Sequence, residues 1–294
     1  MQNDVFSKLV KESIGAFYDP EGIIEWPETL SLGKAWMGDD LLSTYGTGFA
    51  DELTAEQKMT LSQAELVHLF SYTHHGEQDI VDVANKYMYM PRFEPYANYL
   101  FYMLTEENSH RYIFNRFCTA YYEGMFPNEL APHDFECENK FLEALVAFIK
   151  NFIVEEIVLY YNRRIENNKL LPDVVRQICA LHNTDESRHL VAGRQIIQAL
   201  LADVRDTASP DEISRAVGHI SSYTLLAILD LYNPRAYAKA GLLKPGKWVR
   251  QLSRSKERQA LHRKMVNIPS RFLNGIGFIQ GHILDHLPRM EASA

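Results

Sequence analysis

The chain has 294 residues, 46% hydrophobic and 23% charged, an ordinary globular composition with enough length for one large core. A formal net charge of −8 argues against nucleic acid as the main partner, because phosphate binding needs clustered Lys and Arg. Three scattered cysteines (Cys118, Cys137, Cys179) without CxxC spacing argue against a disulfide framework or a thiolate metal site, and favour a reducing compartment.

The first residues, Met1 to Leu9, carry Asp4 and lack a basic start followed by an apolar run, so no signal peptide is expected. No window approaches the roughly 20 apolar residues of a membrane span. The longest apolar-rich stretch, Leu142 to Tyr161, is broken by Lys150, Asn151, Glu155 and Glu156. These features predict a soluble, cytoplasmic protein with no membrane partner.

Residues 1–17 can form a short amphipathic helix through Val5, Phe6, Leu9, Val10 and Ile14. From Asp19 to Thr47 prolines, glycines and tryptophans follow no sustained period, which predicts an irregular segment. Thr54-Ala-Glu-Gln57 has the capping-box pattern and opens a helix over 58–89, either one long helix or two nearly continuous ones, with Gly76 weakening its middle. Met90-Pro91 stops it. A second long helix is predicted from Pro95 to Glu123, and a loop from Gly124 to Asp134. A third helix follows from Glu136 to Asn167, then a fourth from Pro172, a first-turn proline, to about Ala202. Asp211 to Leu231 forms a fifth. Short helices at 234–240, 255–265 and 269–280 complete the chain. No strand-like alternation is sustained, so the fold class is all-α, as a single domain over 1–294 with a core bundle at about 58–205 and peripheral helices at 206–294.

The fourth helix carries His182, Glu186 and His189 at i, i+4 and i+7, which share one face about one turn apart. A lone Glu-x-x-His pair arises by chance in many helices. Here a second pair, Glu107 and His110, stands on the second helix. Two such pairs on two of four long helices make half of the dinuclear carboxylate site of ferritin-like and ribonucleotide-reductase-like four-helix bundles, and each remaining helix should add one Glu. Glu77, 30 residues before Glu107, fits on the first helix. Glu65, 42 residues before, is too far along and reads as a surface or supporting acid. On the third helix Glu155 and Glu156 lie 31 and 30 residues before Glu186. Glu156 has the more apolar flanks, but spacing does not decide between them.

A buried carboxylate costs several kcal/mol unless it is paired or bound to a cation. Four such acids and three imidazoles converging in one bundle require compensating positive charge, which two divalent cations would supply, with Glu107 and Glu186 suited to bridging them. Nitrogen and oxygen donors without thiolate suit two iron ions, Fe2+ or Fe3+, with manganese as a substitute. Asp185 can support a ligand from outside the centre, although its place beside Glu186 favours its pointing elsewhere. His74 and His75 read as satisfied core or rim residues.

His182 is one imidazole more than a plain ferritin-like site needs. With it, the order Glu77, Glu107-x-x-His110, Glu155 or Glu156, then His182-x-x-x-Glu186-x-x-His189 resembles the p-aminobenzoate N-oxygenase family of non-haem diiron oxygenases. The resemblance covers residues 58–205, most specifically His182 to His189. It implies a three-histidine, four-carboxylate diiron site that activates O2 with an external electron donor. It further implies oxidation of a small-molecule substrate, typically an aryl amine, to a hydroxylamine or nitro product. Other readings are a diiron C–H hydroxylase or desaturase, or a ferritin-like iron-handling protein; the third histidine counts against storage. A homodimer is left open.

Overall fold

The computed structural model of the chain describes residues 2–128 and 134–288. Among these residues there are helices and no strands. After α1 (Gln2–Gly15) come four long helices: α2 (Ala55–Tyr87), α3 (Glu94–Tyr121), α4 (Lys140–Asn167) and α5 (Asp173–Thr207). Helix α6 (Pro210–Asp230) and the short α7 (Pro234–Lys239), α8 (Pro245–Ser253), α9 (Lys256–Met265) and α10 (Asn267–Gly275) follow.

Local chemistry sets most boundaries. At the start of α2, Gln57 N donates to Thr54 Oγ1 (3.1 Å) and Thr54 N donates to Gln57 Oε1 (3.0 Å), which closes the capping box. Helix α4 begins four residues later than expected. The Asn139 side chain accepts from the backbone N–H groups of Phe141 and Leu142, and so fixes the first turn there. Ser209 and Glu212 form a second capping box, at α6. Helix α5 runs on to Thr207, and α8, absent from the sequence expectations, starts at Pro245. Residues 129–133 of the expected loop, and 289–294, lie outside the described residues.

Helix α2 packs on α3 and α4 on α5, while contacts of α2 with α4 and of α3 with α5 close the four-helix bundle. Gly76 does not interrupt α2. A Cβ there would sit 3.0 Å from Val154 Cγ1, so the missing side chain lets α4 approach. Helix α4 is the central element, covered by α5, α2, α6, α9 and α10. It therefore buries residues all round: Phe152, Ile153, Val154, Ile157, Val158 and Leu159. Each such side chain contributes roughly 1.5–3 kcal/mol of transfer free energy. The segment between α1 and α2 is irregular but firmly seated. Trp36 is fully buried against Phe117, and Ser43 bonds to Glu65. Glu65 is thus an interior acid, not a surface one, because this segment covers it.

Candidate metal centre

The four bundle helices carry their acids and imidazoles to one level. Helix α2 brings Glu77, α3 brings Glu107 and His110, α4 brings Glu155, and α5 brings His182, Glu186 and His189. All seven are buried. Facing atoms of six of them fall into two groups with Glu186 in both: Glu77, His110, His182 and Glu186 in one, and Glu107, Glu186 and His189 in the other. Glu186 joins the groups, and Glu107 reaches from the second towards the first. Glu186 places Oε1 3.4 Å from His182 Nε2 and Oε2 2.9 Å from His189 Nδ1. Glu107 places Oε1 3.0 Å from His189 Nδ1 and Oε2 3.5 Å from His110 Nδ1.

The adjacent acids of α4 part company. Glu155 joins the cluster, beside Glu186 and Glu107. Glu156 turns away and accepts from Arg194 at 2.6 Å, the guanidinium lying over the Phe152 ring. The more apolar flanks of Glu156 therefore do not bring it to the other acids.

Each imidazole is held at its far nitrogen. His110 Nε2 donates to Asp185 Oδ2 (3.0 Å), and His189 Nε2 donates to Glu106 Oε2 (2.8 Å). His182 Nδ1 sits 2.9 Å from the Asn162 side-chain amide. Arg188 ties the two outer acids together, donating to Glu106 (2.6 Å) and Asp185 (2.5 Å), and the Tyr18 hydroxyl adds a bond to Asp185 at 2.9 Å. Asp185 thus points to His110, contrary to the expectation from its place next to Glu186. Adjacent helical residues diverge, but α3 lies on the side to which Asp185 turns. Glu106, Asn162, Arg188 and Tyr18 carried no motif. Their partners are distant in sequence, so only the fold reveals them.

Electrostatics divides the cluster into a compensated rim and an uncompensated centre. Burial alone would raise the Asp185 carboxyl, but the His110 bond and the charges of His110 and Arg188 bring it down to about 2. Burial would likewise raise Glu106, and His189 and Arg188 overcome it and lower it. In the centre, burial and then the charges of Glu186 and Glu107 push the Glu155 carboxyl well above the usual range. Burial depresses imidazolium in general, yet His110 and His189 are raised by the acids around them.

The hydrogen-bond pattern tests whether a metal fits. Glu77 Oε2, both oxygens of Glu107, Glu155 Oε2, Glu186 Oε1 and His110 Nδ1 are buried and find no hydrogen-bond partner. His110 Nδ1 lies 3.5 Å from oxygens of Glu77, Glu107 and Glu186 and bonds to none. Buried polar atoms are otherwise paired as a rule. Orphaned atoms gathered in one buried cluster, while the far nitrogens of its imidazoles are held, are the pattern expected of metal ligands. The donor set is suited to a dinuclear metal centre.

The other histidines of α2 are satisfied elsewhere: His74 lies 3.1 Å from the Arg111 carbonyl and His75 3.0 Å from that of Phe126. Glu65, buried beside Ser43 and within the field of Arg258, is pushed up to about 7 by burial and takes no part in the cluster.

Comparison with known proteins gives two findings. The family model described as P-aminobenzoate N-oxygenase AurF matches residues 1–277. Among solved structures, an R2-like ligand-binding oxidase variant with an anaerobically reconstituted Mn/Fe cofactor superposes with a TM-score of 0.55 at 18% identity, over 94% of each chain. A second variant of that oxidase, with an aerobically reconstituted Mn/Fe cofactor, gives 0.54 at 18% identity over 94% of this chain and 93% of the other. At this identity the likeness establishes the ferritin-like, R2-like fold. No curated protein matches the chain.

Proposed function

The chain belongs to the p-aminobenzoate N-oxygenase family, and from that premise and its buried carboxylate–imidazole cluster we propose a non-haem diiron oxygenase that oxidises a small organic substrate with O2. The finer assignment is N-oxygenation of an amine, an aryl amine above all, to a hydroxylamine or nitro product.

In this reading Glu77, His110 and His182 would hold one iron and Glu107, Glu155 and His189 the other, with Glu186 common to both groups. Two iron ions bound there supply electrons and open coordination positions for O2, and manganese is a chemically acceptable substitute. The remaining contributions are the chain's own. Asp185 and Glu106 keep the ring protons of His110 and His189 on Nε2, so that both Nδ1 atoms face the centre bare. The Asn162 side-chain nitrogen stands 2.9 Å from His182 Nδ1 and holds the ring so that Nε2 faces Glu77 and Glu186. Arg188 neutralises part of the rim without entering the centre. The apolar flanks of α4 and α5 keep bulk water from the cluster. An external electron donor is required for turnover.

The observation that carries the proposal is the set of orphaned oxygens and the unbonded His110 Nδ1 within the buried cluster. Protein from iron-supplemented cells should contain about two irons per chain, and His182→Ala and Glu186→Ala should lose iron while keeping their helix content. The reduced protein, exposed to O2 with 4-substituted anilines, should form hydroxylamine or nitro products. Absence of bound metal would overturn the centre. Iron release independent of any amine would replace oxygenation by iron handling.

A further inference from the structure

A cleft of about 530 Å³ lies between α2, α4 and α6, within the usual size of a small-molecule site. It abuts the candidate centre. Gly76 and Val154 form part of its wall, and each is one residue from a member of the cluster, Glu77 and Glu155. In that wall Val154 packs directly on the Gly76 backbone, its Cγ1 3.0 Å from where a Cβ at Gly76 would sit.

The lining carries six carboxylates (Asp79, Asp82, Asp134, Glu136, Glu143 and Asp230) against Lys86 and Lys150. Lys86 is taken by Glu143 at 2.6 Å. Asp79 and Asp82 thus present carboxylates of α2 to the cleft, Asp82 also accepting from Gln78 Nε2 at 3.0 Å. Lys150 lies 4.6 Å over the Tyr223 ring, so the cleft already shows a cation seated on an aromatic face among carboxylates. An independent observation concerns Tyr72, which also lines the cleft. It is 7% exposed, and its hydroxyl finds no hydrogen-bond partner. A buried donor left unpaired at the wall of a cleft suits a polar group on a ligand.

Resting on the oxygenase reading above, we propose that this cleft is the substrate pocket and that it takes an organic cation: an ammonium or guanidinium group on an aromatic or apolar body, in preference to a carboxylate. Tyr72, Gly76, Asp79 and Asp82 stand on one stripe of α2. At 1.5 Å per residue, Asp79 and Asp82 lie roughly 5 and 9 Å from Gly76 along the axis, about the length of a benzene ring with one substituent. A protonated nitrogen has no lone pair to receive oxygen. The charged group is therefore the anchor, at Asp79 and Asp82, and the oxidised atom lies at the other end, against Gly76 and Val154.

The test is calorimetric titration of the iron-loaded protein with two matched probes, 4-aminobenzylamine and 4-aminobenzoate, at pH 7. Both carry the aryl amine and differ in the sign of the opposite end. The benzylamine should bind at least tenfold more tightly. Asp79→Asn and Asp82→Asn should each weaken it several-fold without moving 4-aminobenzoate in the same direction, and Asp79→Lys should reverse the preference. Both aspartates face solvent in the cleft, so at least one variant will fold, which thermal melting checks. Equal affinities, a preference for the carboxylate, or indifference to both Asn variants overturns the pocket assignment. Iron content of the same samples separates the two possible failures. A chain that holds iron but does not discriminate overturns this inference alone, whereas a chain without iron overturns the oxygenase reading.

Discussion

Replacing Glu155 or Glu156 by Gln should have opposite consequences, although the two acids are neighbours on α4. Glu156 and Arg194 form an ion pair at 2.6 Å, with side-chain exposures of 2% and 32%. Removing one partner of a fully buried pair costs about 3–5 kcal/mol. With a third of the guanidinium facing water, about 2 kcal/mol is expected here. That lowers Tm by roughly 4 °C in a chain of this size, with iron content unchanged. Glu155 is the reverse case. Without cations, burial and the charges of Glu186 and Glu107 already disfavour its ionised form. Glu155→Gln should leave the metal-free Tm unchanged or higher, while iron falls from about two to about one per chain. Calorimetry of chelator-treated protein and iron determination on the same preparations give both readouts. Retention of full iron by Glu155→Gln, or its loss from folded Glu156→Gln, would refute the assignment.

Asp185→Ala removes the acceptor that orients His110 and half of the partners of Arg188. Fe(II) affinity should fall by about 10- to 100-fold, and an unchanged titration would deny Asp185 an orienting role. Glu65 makes the fold pH-sensitive away from the centre. Its carboxyl is raised from 4.5 to about 7 by burial, so its favourable contribution is complete below pH 4.5 and is lost as pH rises through 7. The difference is about 3 kcal/mol. Urea unfolding from pH 4.5 to 8 should show that much less pH dependence in Glu65→Gln than in the parent, and parallel profiles would count against it. Adding Fe(II) anaerobically at about 100 times its Kd should stabilise the metal-free chain by about 2.7 kcal/mol. His182→Ala should need far more iron for the same shift in Tm; an equal response in both would remove His182 from the ligand set.

The paired Glu-x-x-His spacings and the caps were readable because they are local. Glu107 with His110, and Glu186 with His189, lie within one turn, and Thr54 with Gln57 closes its own hydrogen bonds. The choice between Glu155 and Glu156 was not readable, for a physical reason. Choosing a face by its apolar flanks needs a polar face for contrast, and α4 is buried all round. Asp185, Glu106 and Asn162 escaped because each bonds across the bundle, to residues 75, 83 and 20 positions away. The segment between α1 and α2 has no period at all, yet it delivers Tyr18 to Asp185 and Ser43 to Glu65. Such placements depend on which helices are neighbours, and no single stretch of sequence encodes that.

Charge balance explains why the rim and the centre are built differently. At the rim, Arg188 faces Glu106 and Asp185, and both acids also receive an imidazole N–H. The acids of that network are paired by the chain itself, so it can hold the rings in place whether or not a metal is bound. The centre holds Glu77, Glu107, Glu155 and Glu186, and among the described residues no Arg or Lys pairs with them. Filling it with a side-chain cation would close the positions that a reaction needs. Two divalent cations would balance four carboxylates to zero, and three neutral imidazoles complete their coordination without adding charge. A bundle arranged in this way gains more stability from the ions when the rim is intact. The orienting acids and the ligands should therefore fail together in metal binding, while the rim variants alone also destabilise the metal-free fold.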